Sequence, residues 1–373
     1  MMPVRGRTCA RGCARGFSLV EFMVAITLAL VVTIAVLSVF LGSRSSFLST
    51  SGTGALADNG RFALSFLQAA VRSAGYMACN TTQRQLSMLN VAGNLPYALT
   101  QPLGGFEAGG TGGAGSFVLA PPPVTADSAA GDWTGGLDPQ LVNLVVQNSD
   151  VLVVSSTLPY SQASYVTAIS DGASNFTVNQ AGSLQNNQIA VISDCAKSVA
   201  FQITGVTPSG VNAIISHTMV GAPGNTASAL PVSFPVGAEV APIDTTVYFI
   251  GKGADGDGAL FAYDMYGGTL TTTGGFTATP NELVPDIEAM QVLYGLDTTG
   301  TQTPSTYVTA DKVANFNLVM SVKIAVLAAS PPGAVPQGPP RTFTLLGNVV
   351  TAPADTRARQ VFEITVSLRD MET

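Results

Sequence analysis

Gly16-Phe17-Ser18-Leu19-Val20-Glu21, followed by twenty apolar or small residues ending at Leu41, decides how the rest of the chain is read. Wound as a helix, residues 17–41 reach roughly 37 Å at about 1.5 Å per residue, enough to cross a bilayer with some tilt. Ser18, Thr27, Thr33 and Ser38 are expected to return their hydroxyls to the helix backbone and so to cost little. Glu21 is different. An ionised carboxylate in hydrocarbon costs about 3 kcal/mol even on insertion scales, so it needs a partner. The segment before it carries Arg5, Arg7, Arg11 and Arg15 and no acid. By the positive-inside rule that segment stays cytoplasmic and everything beyond Leu41 is exported. An ordinary secretory signal has an apolar core of about 7–15 residues and then a small-x-small site. Here the core is longer and the Gly-Phe pair precedes it.

This arrangement resembles the class III signal of type IV prepilins and type II secretion pseudopilins. The resemblance implies that residues 1–16 are a cytoplasmic leader, cut after Gly16 by a prepilin peptidase that also N-methylates Phe17. It implies that Glu21 pairs with the N-terminal amine of an adjacent subunit. A buried charge used in that way rewards axial register during polymerisation. Losing the leader leaves twelve of the 16 basic side chains against 23 acidic ones, a balance of −11 instead of −7.

Only 10% of the residues are charged, while Gly and Pro number 39 and 22, and the mean hydropathy is +0.36. The exported part therefore reads as a weakly charged, acidic, loop-rich globule, long enough for one large domain or two small ones. It lacks the basic footprint of a nucleic-acid binder, so no direct nucleic-acid partner is expected. Two of the four cysteines, Cys9 and Cys13, lie in the leader with no further ligands nearby. Cys79 and Cys195 remain. An even pair in an oxidising compartment points to one disulfide, the alternative being two buried thiols. Such a bond closes a loop of roughly 115 residues, worth about 4–5 kcal/mol in the chain-entropy model.

Beyond Leu41 polarity rises, and Gly42, Gly52 and Gly54 are expected to bend or loosen the helix, each costing about 1 kcal/mol in a helix interior. A second amphipathic segment is expected over residues 58–73. Phe62, Phe66, Leu67, Ala70 and Val71 recur there at helical spacing as the core-facing stripe. Asp58 or Asn59 is placed to cap it and Gly75 to stop it. From residue 117 the chain is strand-like. Candidate strands are 142–147, 151–155, 165–169, 176–178, 189–192, 199–203, 211–215, 247–250 and 260–263. Two later runs alternate: Leu318, Met320, Val322, Ile324 and Val326 on one face, and Phe362, Ile364, Val366 and Leu368 opposite Glu363, Thr365, Ser367 and Arg369. Period two over that length is a half-buried strand. Residues 104–115 hold seven Gly and are expected to be turn-rich. The Pro-rich stretches 121–123 and 330–340 read as extended loops, the second lying between the last two strands.

Several short motifs, in order, are similar to the PilW family of type IV pilus minor pilins. They are Asp58-Asn59-Gly60-Arg61-Phe62-Ala63-Leu64, Ala74-Gly75-Tyr76, Cys79, Ser193-Asp194-Cys195, Ala200-Phe201-Gln202-Ile203-Thr204, Tyr294-Gly295-Leu296-Asp297 and the run from Arg357 to Arg369. The chain departs from the pattern at Asp370, where Asn is expected, and over residues 311–316, which lack a Trp. The resemblance implies an α+β, type IV pilin-like fold: a long N-terminal transmembrane and amphipathic helix, then a large antiparallel β-rich head. The expected division is leader 1–16, transmembrane and polymerisation helix 17–41, amphipathic continuation 42–78 and head 79–373.

What the resemblance implies for function is a minor pilin that primes filament assembly at or near the pilus tip and supports adhesion, twitching motility or DNA uptake. Its partners would be the prepilin peptidase, other minor pilins and the major pilin, an inner-membrane assembly platform and a tip adhesin. It would sit in the inner membrane, head in the periplasm, before assembly and at the cell surface after it. The other readings are a J-like minor pseudopilin of type II secretion, and an adhesin head on a pilin stalk.

Enzyme chemistry finds little purchase. No nucleophile elbow, phosphate loop or dinucleotide fingerprint is present, and no cofactor is expected. His217, the single histidine, has no partner at motif spacing and reads as a solvated or strand-end residue. Asp255 and Asp257, set among glycines, offer oxygen ligands to calcium. The same residues form an Asp-Gly hairpin turn, and no bidentate Glu follows at the calcium-loop spacing, which favours the turn. Trp133 reads as a core residue or an exposed anchor.

Overall fold

The computed structural model describes residues 18–78, 84–90, 95, 97–126, 128–157, 162–265, 279–301 and 303–368. The chain divides into two compact units, residues 1–51 and 52–373. One helix, Leu19–Ser73, contributes to both.

In the first unit every described residue from 18 to 48 is exposed, and the helix is long and apolar enough to cross a membrane, an 18-residue stretch of it reaching a mean hydropathy of 2.8. Thr27, Thr33 and Ser38 return their hydroxyls to the backbone as expected, to Val24 O at 2.9 Å, Ala29 O at 2.7 Å and Ala35 O at 2.8 Å, while Ser18 precedes the helix. The helix does not break at Gly42, Gly52 or Gly54. Glycine propensity is a weak prior that context overrides.

In the second unit the helix lies on a four-stranded sheet ordered Thr306–Val308, Ile287–Leu296, Val319–Ala329, Arg359–Ser367. The helix positions buried there are Gly52, Leu56, Gly60, Ala63, Leu67, Ala70 and Val71. The expected stripe is therefore half right. Phe62 and Phe66 are 59% and 44% exposed, because the face that packs carries the small residues. A Cβ at Gly52 would lie 2.6 Å from the Ala334 Cβ, so side-chain-free positions set how close the helix comes. Asp58 and Asn59 are inside the helix, not caps. Gly75 does end it, at φ 78°, its N–H donating to Ser155 O at 2.9 Å.

The strand Val319–Ala329 is buried on both faces. Val322, Ile324, Val326 and Ala328 join the helix core. Ala325 and Leu327 meet Leu345 and Val350 of a three-stranded sheet, Arg341–Leu345, Asn348–Ala352 and Ser116–Val118. That hairpin, turning at Leu346-Gly347 with φ 45° and 98°, lies between the Pro-rich loop and the last strand, so the loop does not join the last two strands. The last strand alternates as read: Val366 and Leu368 are buried, Phe362 and Ile364 pack against the same core, and Glu363, Thr365 and Ser367 are exposed.

The remaining strands form a 12-stranded sheet. The long strand Glu239–Lys252 pairs with Val151–Thr157, Ser164–Ala168, Ile189–Ser193 and Gly258–Asp264. Residues 142–147 are not a strand. Asn143 and Asn148 adopt φ 64° and 62°, which folds the segment into turns and leaves a single bridge from Val145 to Gly251. Asn tolerates that left-handed region better than most residues.

Candidate functional site

Glu21 sits in the first turn of the helix, exposed, and is the single charged residue between Ser18 and Arg44. Gly16 and Phe17 lie outside the described residues, and so does Cys79. Cys195 is disulfide-bonded. It stands at φ 67° in a turn built by its motif neighbours: Ser193 Oγ accepts from Cys195 N at 3.3 Å, and Asp194 Oδ1 accepts from Ala196 N at 3.1 Å and Lys197 N at 3.0 Å. Lys197 closes the turn with a salt bridge to Asp194. Burial pushes the Asp194 carboxyl up, but the bonds from Lys197 and the backbone outweigh it and hold it below the usual range. The Ser-Asp-Cys motif is thus a scaffold for its cysteine.

Tyr294 is fully buried. Its hydroxyl donates to Gly104 O at 3.1 Å, and its ring stands edge-on to Phe316 at 5.2 Å. A Cβ at Gly105 would lie 2.1 Å from that hydroxyl. Part of the Gly-rich run is therefore a strand, Leu103–Phe106, kept bare so that Tyr294 can approach. Trp133 is a core residue, 2% exposed, with Nε1 donating to Ser149 O at 3.1 Å.

The C-terminal motif supplies two arginines to a carboxylate network. Arg357 pairs with Asp257 and, at 3.1 Å, with Asp286, and donates to Ser330 O at 3.2 Å. Arg359 binds both oxygens of Glu288, at 2.6 and 2.9 Å, and both oxygens of Asp355, at 2.8 and 2.6 Å. Bidentate pairing of this kind is the strong form of the interaction. Burial still pushes Glu288 up, against the pull of Arg359. Asp255, Asp257 and Asp286 bring carboxylate oxygens within 4.8 Å of one another. That cluster does not fit a resident calcium ion, because the Arg357 guanidinium already supplies the positive charge to two of its members. Asp255 Oδ1 accepts from Asp257 N at 3.0 Å, shaping the hairpin turn between Glu239–Lys252 and Gly258–Asp264.

Sequence reasoning missed a buried acid pair. Glu107 and Asp150 are each 2% exposed. Asp150, just before the strand Val151–Thr157, accepts from Ala108 N at 3.0 Å and from Val292 N of the strand Ile287–Leu296 at 2.8 Å. Glu107 Oε1 accepts from Thr111 at 3.0 Å, while Oε2 has no partner. Burial, and then the Asp150 charge, push Glu107 up; burial pushes Asp150 up against its two backbone bonds. The two residues are 43 positions apart and share no motif, so nothing in the linear pattern pairs them. His217 directly follows the strand Asn212–Ser216, as the strand-end reading has it, and at 1% exposed it is not solvated.

The network of Arg357, Asp257 and Asp286 falls within the region that matches a family model. Residues 247–370 match the PilW family, type IV pilus-assembly protein W. The match takes in the four-stranded sheet and both network arginines. Comparison with the curated proteins gives no match. Among solved structures, a type IV-like pilin from Thermus thermophilus, TTHA1219, is similar at 16% identity and a TM-score of 0.22, over 51% of this chain and 86% of that one. The PilW match, with a long apolar helix followed by a β-rich head, supports a pilin role in a type IV pilus.

Proposed function

We propose that this chain is a minor pilin of a type IV pilus, priming filament assembly and lying at or near the tip, where the head serves adhesion, twitching motility or DNA uptake. The carrying observation is the pairing of a PilW-type C-terminal sheet with an N-terminal helix exposed all round over residues 18–48. Such a helix buries nothing by itself and needs either lipid or other helices around it.

In this reading prepilin peptidase cuts after Gly16 and methylates Phe17, and Glu21 meets the amine of a neighbouring subunit. Cys79 and Cys195 close one disulfide across the head. Before assembly the protein spans the inner membrane once with its head in the periplasm, beside the assembly platform and the other pilins. Function resides in packing, not catalysis.

Mass spectrometry of the N-terminus, from native membranes and from sheared pili, tests the proposal. N-methyl-Phe17 in the sheared fraction is the expected result. The same end confined to membranes would favour a type II secretion pseudopilin or a primer that is not retained. An intact Met1, or a cut beyond Leu41, would overturn the reading.

A further inference from the structure

The strand Arg359–Ser367 forms one side of the four-stranded sheet and, among the described residues, pairs with Val319–Ala329 alone. Leu368 N donates to Met320 O at 2.9 Å, and Ser330 N donates to Ala358 O at 2.8 Å. These two bonds fix the ladder, because hydrogen-bonded positions alternate along an antiparallel strand. Residues 360, 362, 364 and 366 therefore turn their backbone N–H and C=O inward, toward Val319–Ala329. Those of Val361, Glu363, Thr365 and Ser367 point away from the sheet, and no described residue bonds them. Glu363, Thr365 and Ser367 are exposed and Val361 is half-buried, so this edge is open to water.

An open edge is a template for another strand, and folded proteins blunt it by shortness, bulges, proline or lysine. This edge has none of these. It is nine residues long, it holds no Pro, Gly or Lys, and its register runs from Ser321–Ser367 to Ala329–Arg359 without a shift. The side chains select what is added. On the helix side Phe362 and Ile364 pack against the core but stay half-buried, so an apolar residue laid beside them gains burial. On the opposite side Glu363 is exposed and has no ion-pair partner among the described residues. Across a sheet, a basic side chain opposite Glu363 is favourable and an acidic one is not. A second copy brings the same Glu363 on the same edge, in a chain of formal charge −7, so self-pairing is disfavoured.

We propose that this edge binds an extended segment of another protein as an added strand of the sheet, bonded by the main chain of Val361, Glu363, Thr365 and Ser367. The guest alternates apolar residues, which lie beside Phe362 and Ile364, with polar ones, and sets a lysine or arginine against Glu363. Main-chain bonds supply the affinity and the alternate side chains the selectivity. The edge belongs to the head alone. Strand capture is therefore independent of filament position and of Phe17 processing, and either can fail without the other.

The probe is the acetylated peptide Thr-Val-Lys-Val-Thr-Val-Lys-Val-Thr, beside a counterpart with Glu at both Lys positions, each added to the full chain in detergent. Hydrogen exchange resolved to single amides reads the result. Without peptide, the amides of Val361, Glu363, Thr365 and Ser367 are expected to exchange much faster than those of Phe362, Ile364 and Val366. The lysine peptide is expected to slow the first set saturably and to bind about fivefold more tightly than the glutamate peptide. Glu363→Gln is expected to erase that preference. Thr365→Pro removes one outward N–H and no bond of the ladder, a position where proline is tolerated, and is expected to abolish binding at a near-parental melting temperature. The proposal is overturned if the lysine peptide slows none of the four amides, or if Thr365→Pro and Glu363→Gln both bind like the parent. Amides already slow without peptide overturn it too: release on dilution assigns the edge to a second copy, and slow exchange at every dilution means that the chain itself covers the edge.

Discussion

Gly60 and Phe362 meet where the helix crosses the last strand of the four-stranded sheet: a Cβ at position 60 would lie 2.3 Å from the Phe362 ring. The Phe362 Cγ itself would be 2.7 Å away, so rotating the ring about its own axis does not clear the clash. In an exposed helix Gly→Ala gains about 1 kcal/mol. Here overpacking, typically about 1–3 kcal/mol, opposes and exceeds that gain. Gly60→Ala is expected to lower stability in urea denaturation, and Phe362→Leu to restore part of the loss in the double variant. An alanine variant as stable as the parent would show that the sheet gives way.

Arg357 is 7% exposed, and the side chains it pairs with, Asp257 and Asp286, are 13% and 11% exposed. Removing the guanidinium strands two carboxylates. Arg357→Met is expected to cost about 3–5 kcal/mol, as for other buried pairs broken on one side. Adding Asp257→Asn and Asp286→Asn to that variant should recover much of it. Calcium added to the parent is expected to leave its melting temperature unchanged, and a rise of several degrees would contradict the turn reading of Asp255 and Asp257.

Glu107 and Asp150 give the head an inverted pH response. Both are raised above their ordinary values on folding. A raised carboxyl contributes stability that is fully present below its unfolded pKa, about 4.3 for Glu and 3.9 for Asp. That stability is lost as pH rises through the folded value. Asp311 adds to the upward push on Glu107 and Lys312 opposes it. Glu107→Gln keeps an acceptor for Thr111 and removes the charge. It is expected to stabilise the protein more at pH 8 than at pH 5, by at most about 1.4 kcal/mol per pH unit. Equal effects of Glu107→Gln at the two pH values would refute the assignment.

Cys195 is disulfide-bonded, and Cys79 is its proposed partner. A non-reducing peptide map should recover the two cysteine peptides as one species. Cys195→Ser is expected to cost about 2–5 kcal/mol, and a map joining Cys195 to any other cysteine would break the proposed pairing.

Glu21→Gln tests assembly without touching the head. The expected variant is processed and present in membranes at parental levels but depleted from sheared pili. Parental incorporation would remove the carboxylate from the assembly mechanism.

The membrane-length helix was legible because its apolar run is unbroken over many residues, and the final strand because it repeats period two with one face in the core and one in water. The strand Ile287–Leu296 was missed for the converse reason. It is buried on nearly all positions, so period two is erased. Residues 142–147 looked like a strand by composition, yet Asn143 turned them. Phe62 and Phe66 had the right spacing for a helix and the wrong face, since neighbouring faces of one helix share a period.

By itself the sequence determined a membrane-length helix with one carboxylate in its first turn, a β-rich region beyond it and the order of the PilW-like motifs. These are local properties: run length, periodicity and residue type within a few positions. Only the tertiary structure decided that Gly52 is a contact point instead of a weak joint and Gly60 another, that Arg357 occupies the acidic turn, that Glu107 and Asp150 share one buried space, and that His217 packs between Phe176 and Phe201. Each of those depends on which distant segments are brought together, and on how much water is excluded when they meet.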